Sequence, residues 1–165
     1  MKPLQEMVFL SEIVLQAKIA KRAAERLNET DHVEVWCSIQ SILVASGNVS
    51  KILWPTNNEN SSRGVELRKM LNIDDNNILS SRKFRNHFEH YDERIEDWFK
   101  KQSSAVYSDL AMNPDLHNSI GHSYNRGYNS FDNTLVFRGK VLNLNGVLSS
   151  LQEILNKCKP FVLAQ

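Results

Sequence analysis

Residues 31–54 constrain the fold of this chain more than any other stretch. Val33, Trp36, Cys37, Val44 and neighbouring aliphatics make the segment apolar on more than one face of a helix, and such a helix has to be surrounded by other elements. Asp31 is placed to cap its start. Trp54-Pro55 ends it, because a residue that precedes proline avoids helical geometry. A chain of 165 residues is long enough to wrap such a helix without the help of a disulfide or a structural metal.

The surrounding elements follow from periodicity. Residues 3–28 predict a helix that starts on Pro3 and carries Leu4, Val8, Leu15 and Ile19 as an apolar stripe. A polar loop, 56–62, leads to a short helix over about 63–71. A longer helix is predicted over 78–102, where Phe84, Phe88, Tyr91, Ile95 and Trp98 alternate spacings of four and three. That seam suits packing against other helices or a second subunit. Residues 103–133 lose the helical period and are rich in Asn, Ser, Gly and His, with 105–110 as a candidate short strand. Residues 134–144 read as a hairpin around Arg138-Gly139. Asn145 is the expected cap of a last helix that buries Val147, Leu148, Leu151, Ile154 and Leu155 and stops at Pro160. The expectation is therefore a single mainly α domain over 1–165. It is a bundle of about five helices, with 103–144 as an insertion that carries a small β-hairpin before the last helix.

Composition excludes several functions. A formal net charge of +1 gives no global signature for nucleic acid, so RNA binding would need a local basic patch. The Lys- and Arg-dense segment 18–26 is the candidate, read either as a solvated helix end or as a phosphate-contacting patch. Cys37 and Cys158 lie in apolar stretches and are expected to be buried free thiols. Sparse cysteine without a CxxC pair suits a reducing cytoplasm and argues against a thiolate zinc site. Glu6 and Glu12 interrupt the first apolar residues, so no signal peptide is expected. The most apolar stretch, 39–49, holds Gln40, Ser41, Ser46 and Asn48 and is too polar and too short for a membrane span. His117 and His122, near Asp115 and Asp132, match no metal-ligand spacing and read as loop histidines. No glycine-rich phosphate loop, Gly-x-Ser-x-Gly elbow or cysteine nucleophile pattern occurs, so neither a cofactor nor a metal is expected.

The helix over 78–102 carries Arg85-Asn86-His87-Phe88-Glu89-His90. An Arg, a polar residue and then a His after four intervening residues, in a compact helical chain with a further helix behind it, resembles the HEPN family. Arg82 and His87 share the spacing, but Asn86 places the polar residue after Arg85. The segment 103–144 departs from a minimal HEPN bundle. The resemblance implies a metal-independent endoribonuclease of toxin or defence type. It would act on RNA as a homodimer whose two motifs line one cleft, with an antitoxin or other protein as partner, and with Arg85, Asn86 and His90 as its catalytic residues. The chemistry suits those side chains. A His exchanges protons with the attacking 2′-oxygen or the leaving oxygen, an Arg binds the phosphate through two nitrogens, and Asn86 orients the phosphate or the imidazole. Asn86 and His90 share a helical face, whereas Arg85 and His90 point about 140° apart on an ideal helix. Three features support the alternatives, a noncatalytic module that binds protein, RNA or nucleotide, and a structural helical adaptor. Arg85 and Glu89 can pair at i,i+4, His87 and His90 can sit half-buried at a bundle edge, and Asp92, Glu93, Glu96 and Asp97 make the following turns acidic.

Overall fold

The central helix forms as its sequence dictates. Asp31 Oδ1 accepts the Val33 N–H at 2.8 Å, and α2 runs His32–Leu53. The computed structural model describes residues 2–81, 86, 88–101, 107–114, 124–138 and 140–162. Helix α1 (Pro3–Ala24) lies antiparallel along α2. Near one end Gln16 Oε1 accepts from Asn48 at 3.2 Å, and near the other Arg22 lies beside Cys37. Further α-helices among the described residues are α3 (Ser61–Met70), α4 (Tyr91–Lys101) and α5 (Leu144–Cys158), and α2 packs against α1, α3 and α5. The fold is thus mainly helical, with a small four-stranded sheet.

The apolar stripe expected on α1 faces outward. Leu4, Val8, Leu15 and Ile19 are exposed, and the buried line is Leu10, Ile13, Ala17 and Ala20. Helix α1 is packed from two sides, by α2 and α5, and the small alanines admit both neighbours where larger side chains would hold them apart. Helix α2 likewise buries Val35, Ile39, Ile42 and Val49 but leaves Val33, Cys37 and Val44 on an outer strip. Cys37 is therefore not the buried thiol that its apolar neighbours suggest. Cys158 is buried, and desolvation pushes its thiol pKa up to about 12.

The C-terminus of α2 is closed by α3. Arg63 Nη2 donates to the Lys51 carbonyl at 3.2 Å, and Arg68 Nη1 donates to the Leu53 carbonyl, so two of the last unpaired oxygens are satisfied by cations that also complement the helix dipole. Both guanidinium groups lie over aromatic rings, Arg63 over Phe9 at 4.6 Å and Arg68 over Trp54 at 5.6 Å. Gly64 makes the approach possible, since a Cβ there would stand 2.7 Å from the Leu53 oxygen and 2.5 Å from Pro55 Cδ.

The helix expected over 78–102 does not begin at Ile78. Asn77 caps a single 3-10 turn, Ile78–Ser80, and Ser81 is extended at φ −75° and ψ 127°. Of the aromatic seam, Trp98 is buried, Phe88 and Ile95 are half-buried and Tyr91 is exposed. Phe84 lies outside the described residues.

The sheet has the order β1-β2-β3-β4, with β1 (Ala111–Met112) parallel to β2 (Arg126–Asn129) and the other pairs antiparallel. The expected hairpin is present, with β3 (Thr134–Phe137) and β4 (Lys140–Asn143) in the register Phe137↔Lys140; of its turn, Arg138 is described and Gly139 lies outside the described residues. Arg138 takes the left-handed conformation, φ 46°, and its side chain is held by Asn125 Oδ1 at 2.9 Å. Two readings need correction. The described part of 105–110, residues 107–110, is not strand and β1 follows it at Ala111–Met112, and the polar stretch before residue 134 contains β2, whose Tyr128 is fully buried in the main core. The sequence RGYN has no alternating apolar pattern, so nothing local marks it as a strand. The cap of α5 is Asn143, which accepts from Gly146 N–H at 3.2 Å. Asn145 sits inside the helix and bonds back to Asn133 and the Asp132 carbonyl.

Polar contacts hold the strand segment in place. Arg126 binds Asp109 through Nε at 3.0 Å and Nη2 at 2.7 Å, with both side chains largely buried. Tyr107 donates to Asp109 and accepts from Asn125, and its ring packs against Trp98 and Phe99 of α4. Burial acts to raise the Asp109 pKa, but the hydrogen bonds and charge of Arg126 outweigh it, and the carboxyl stays below its ordinary value.

Three outcomes are expected. Gly64→Ala lowers stability by about 1–3 kcal/mol in chemical denaturation although alanine favours helix, because backbone has to move; an unchanged midpoint would show that α3 does not seat this closely. Asp109→Asn lowers stability by about 2 kcal/mol at neutral pH. Because the folded pKa is depressed, the wild-type advantage is present above about pH 4 and disappears as pH falls through the folded value, which denaturation at several pH values measures. A thiol reagent titrates Cys37 in the native protein and Cys158 only after denaturation, as peptide mapping would establish.

Candidate functional site

The motif segment is anchored from below by Phe88. Its ring packs against the core and lies 6.1 Å from the Phe137 ring, and the Arg126 guanidinium stands 5.9 Å from both the Phe88 and the Trp36 rings. The buried Arg126–Asp109 pair therefore also braces the motif. Asn86, Phe88 and Glu89 are helical, and the hydrogen bonds from His90 N–H to the Asn86 carbonyl at 3.1 Å and from Arg94 N–H to the His90 carbonyl at 3.3 Å carry the helical spacing into α4.

With Phe88 turned inward, Asn86 and His90 are turned outward. Both are exposed and, four residues apart, they share one side of the segment. The His90 side chain is 52% exposed, and its Nδ1 lies 3.6 Å from Glu93 Oε1, within ion-pair reach but longer than a hydrogen bond. Glu89 pairs with Lys51 of α2 at 3.0 Å, which ties the segment to the end of the central helix. Arg85, the remaining candidate, and His87 lie outside the described residues, as do Arg82, His117, His122 and Asp115. The structure thus brings two of the three candidate residues onto one accessible surface.

Beside them runs a shallow cavity of about 180 Å³ lined by Gln40, Leu43, Val44, Asn48, Lys51, Phe88 and Glu89. One wall is apolar and the other carries a cation and a carboxylate, a lining that can take a polar chain with an apolar edge. Among the described residues no group of three or more His, Cys, Asp and Glu is placed to hold a metal ion. The roles of Lys51 and Arg126 were not legible in the sequence. Lys51 lies 38 residues from its partner and Arg126 braces Phe88 across a similar separation, so no local pattern signals either contact.

Among the described residues, no helix is long and apolar enough to cross a membrane. Comparison with known proteins leaves the geometry to stand alone: no family model matches the chain, and neither does any curated protein or solved structure.

Proposed function

We propose that the chain is a HEPN-like, metal-independent endoribonuclease of toxin or defence type, a single domain working in the cytoplasm as a homodimer with an antitoxin or other protein as its partner. The observation that carries this reading is the outward placement of Asn86 and His90 on a segment whose opposite side is fixed by Phe88. A general acid or base has to be reachable by its substrate and held on a rigid support, and this arrangement supplies both. Burial of a motif side chain in the core would have favoured a purely structural adaptor.

In the proposed reaction the RNA 2′-oxygen bonds to the adjacent phosphorus as the bond to the 5′-oxygen breaks. His90 takes the proton from the 2′-hydroxyl or returns one to the leaving oxygen, and the His90 of a second copy serves the other transfer. Arg85 binds the phosphate and stabilises its growing charge, and Asn86 orients it. A second reading, a noncatalytic module that binds a protein, has one observation in its favour. Glu93 stands beside His90, and Glu89 and Asp92 are exposed close by, which makes the immediate surface acidic and less suited to a polyanion.

The test is incubation of wild type and variants with mixed cellular RNA, with circular dichroism as the folding control. His90→Ala abolishes cleavage and leaves the fold intact. Arg85→Ala slows it by several hundredfold, about 3–4 kcal/mol, and Arg85→Lys restores little because a point charge does not reproduce the planar fork. Asn86→Ala falls between. Cleavage survives EDTA and leaves a 2′,3′-cyclic phosphate, and light scattering at micromolar concentration gives a dimer mass. Cleavage that persists in His90→Ala removes that residue from the mechanism, and a wild type inert on every RNA moves the assignment to the noncatalytic module.

A further inference from the structure

Three cations that the proposed reaction does not use lie between α1 and α2, toward the end away from Lys51. Lys18 and Arg22 stand one turn apart on α1, about 6 Å along its axis, and Arg26 follows two residues past the helix end and borders the same groove. They edge a groove of about 440 Å³ whose other wall is Cys37, Ser38 and Ser41 of α2. Among the described residues no ion pair or side-chain hydrogen bond ties these three side chains to a carboxylate, so their charge is open to solvent and to an anion that enters the groove. Glu34 is the one carboxylate among the residues that line the groove. The three cations thus concentrate positive charge along one groove of a protein whose formal net charge is only +1.

The shape of the groove selects the anion. A trough of about 440 Å³ between two helices in direct contact has room for one extended strand rather than a duplex. None of the lining residues is aromatic, so bases find no stacking platform there. We propose that this groove holds the phosphodiester backbone of single-stranded RNA, with Lys18, Arg22 and Arg26 each neutralising a phosphate. The identity of the polyanion rests on the ribonuclease reading; the charge row does not. Lys51, the partner of Glu89, lies fourteen residues beyond Cys37 on the same side of α2, about 21 Å away at the helical rise. A strand leaving the groove therefore reaches the motif within several nucleotides. Held by charge alone, the strand is bound with little base preference and a steep dependence on salt.

Fluorescence anisotropy with non-cleavable 2′-O-methyl oligonucleotides of about twelve residues, one of uridine and one of adenosine, tests this over a range of potassium chloride. The wild type should bind both with similar affinity. The triple variant K18Q/R22Q/R26Q should bind at least about tenfold more weakly, and the slope of log affinity against log salt should fall by about 2, for three contacts at roughly 0.7 each. All three side chains are exposed, so circular dichroism should be unchanged, and the single variants should give graded losses if the triple fails to fold. Unchanged affinity and slope in the triple variant overturn the groove. So does a wild type that ignores RNA but binds phosphatidylserine vesicles through the same three residues. The two readings separate cleanly. Cleavage lost in His90→Ala alongside groove-independent binding overturns the groove alone, whereas groove-dependent binding by a wild type that cleaves nothing keeps the groove and removes the nuclease.

Discussion

Everything in this structure depends on the burial of α2. A helix that is apolar on several faces cannot remain in water, and each neighbour it recruits is shaped by that demand. Helix α1 meets it with alanines because α5 presses from the other side. Helix α3 meets it at the end, where Gly64 lets the backbone come close and Arg63 and Arg68 satisfy carbonyls that would otherwise be orphaned. Lys51, in the last turn, then reaches across to Glu89, so the end of the central helix also locates the motif segment.

That segment divides its side chains by role. Phe88 goes into the core and is held there by aromatic and guanidinium contacts, which leaves Asn86 and His90 on the surface. Charge is divided as well. Carboxylates cluster around His90, while Lys18, Arg22 and Arg26 line the α1–α2 groove. On the proposed reading the protein separates where a polyanion is held from where it is cut.

The polar stretch ahead of the hairpin shows how a sheet forms without an apolar pattern. Asp109 and Asn125 bind Arg126, Tyr107 and Arg138, and Asn113 and Asn133 accept from Ser130 and Tyr128. These side chains replace the strand-to-strand packing that an alternating sequence would supply, and buried polar groups are tolerated because they are paired.

The sequence alone determined the helical class, the central helix with its Asp31 cap and Trp54-Pro55 stop, and the hairpin around Arg138-Gly139. These rest on local periodicity, capping and turn chemistry. It also marked Asn86 and His90 as neighbours on one face, because four residues make a helical turn. Tertiary structure decided which of two apolar stripes α1 buries, that Cys37 is exposed, that Ser81 breaks the expected helix, and that the four residues RGYN become an internal strand. It also decided that Lys51 and Arg126 support the motif, while Lys18, Arg22 and Arg26 border one groove. Each of those outcomes turns on contacts between residues distant in the chain, and periodicity shows only that a side chain has a face to bury, not which neighbour arrives to cover it.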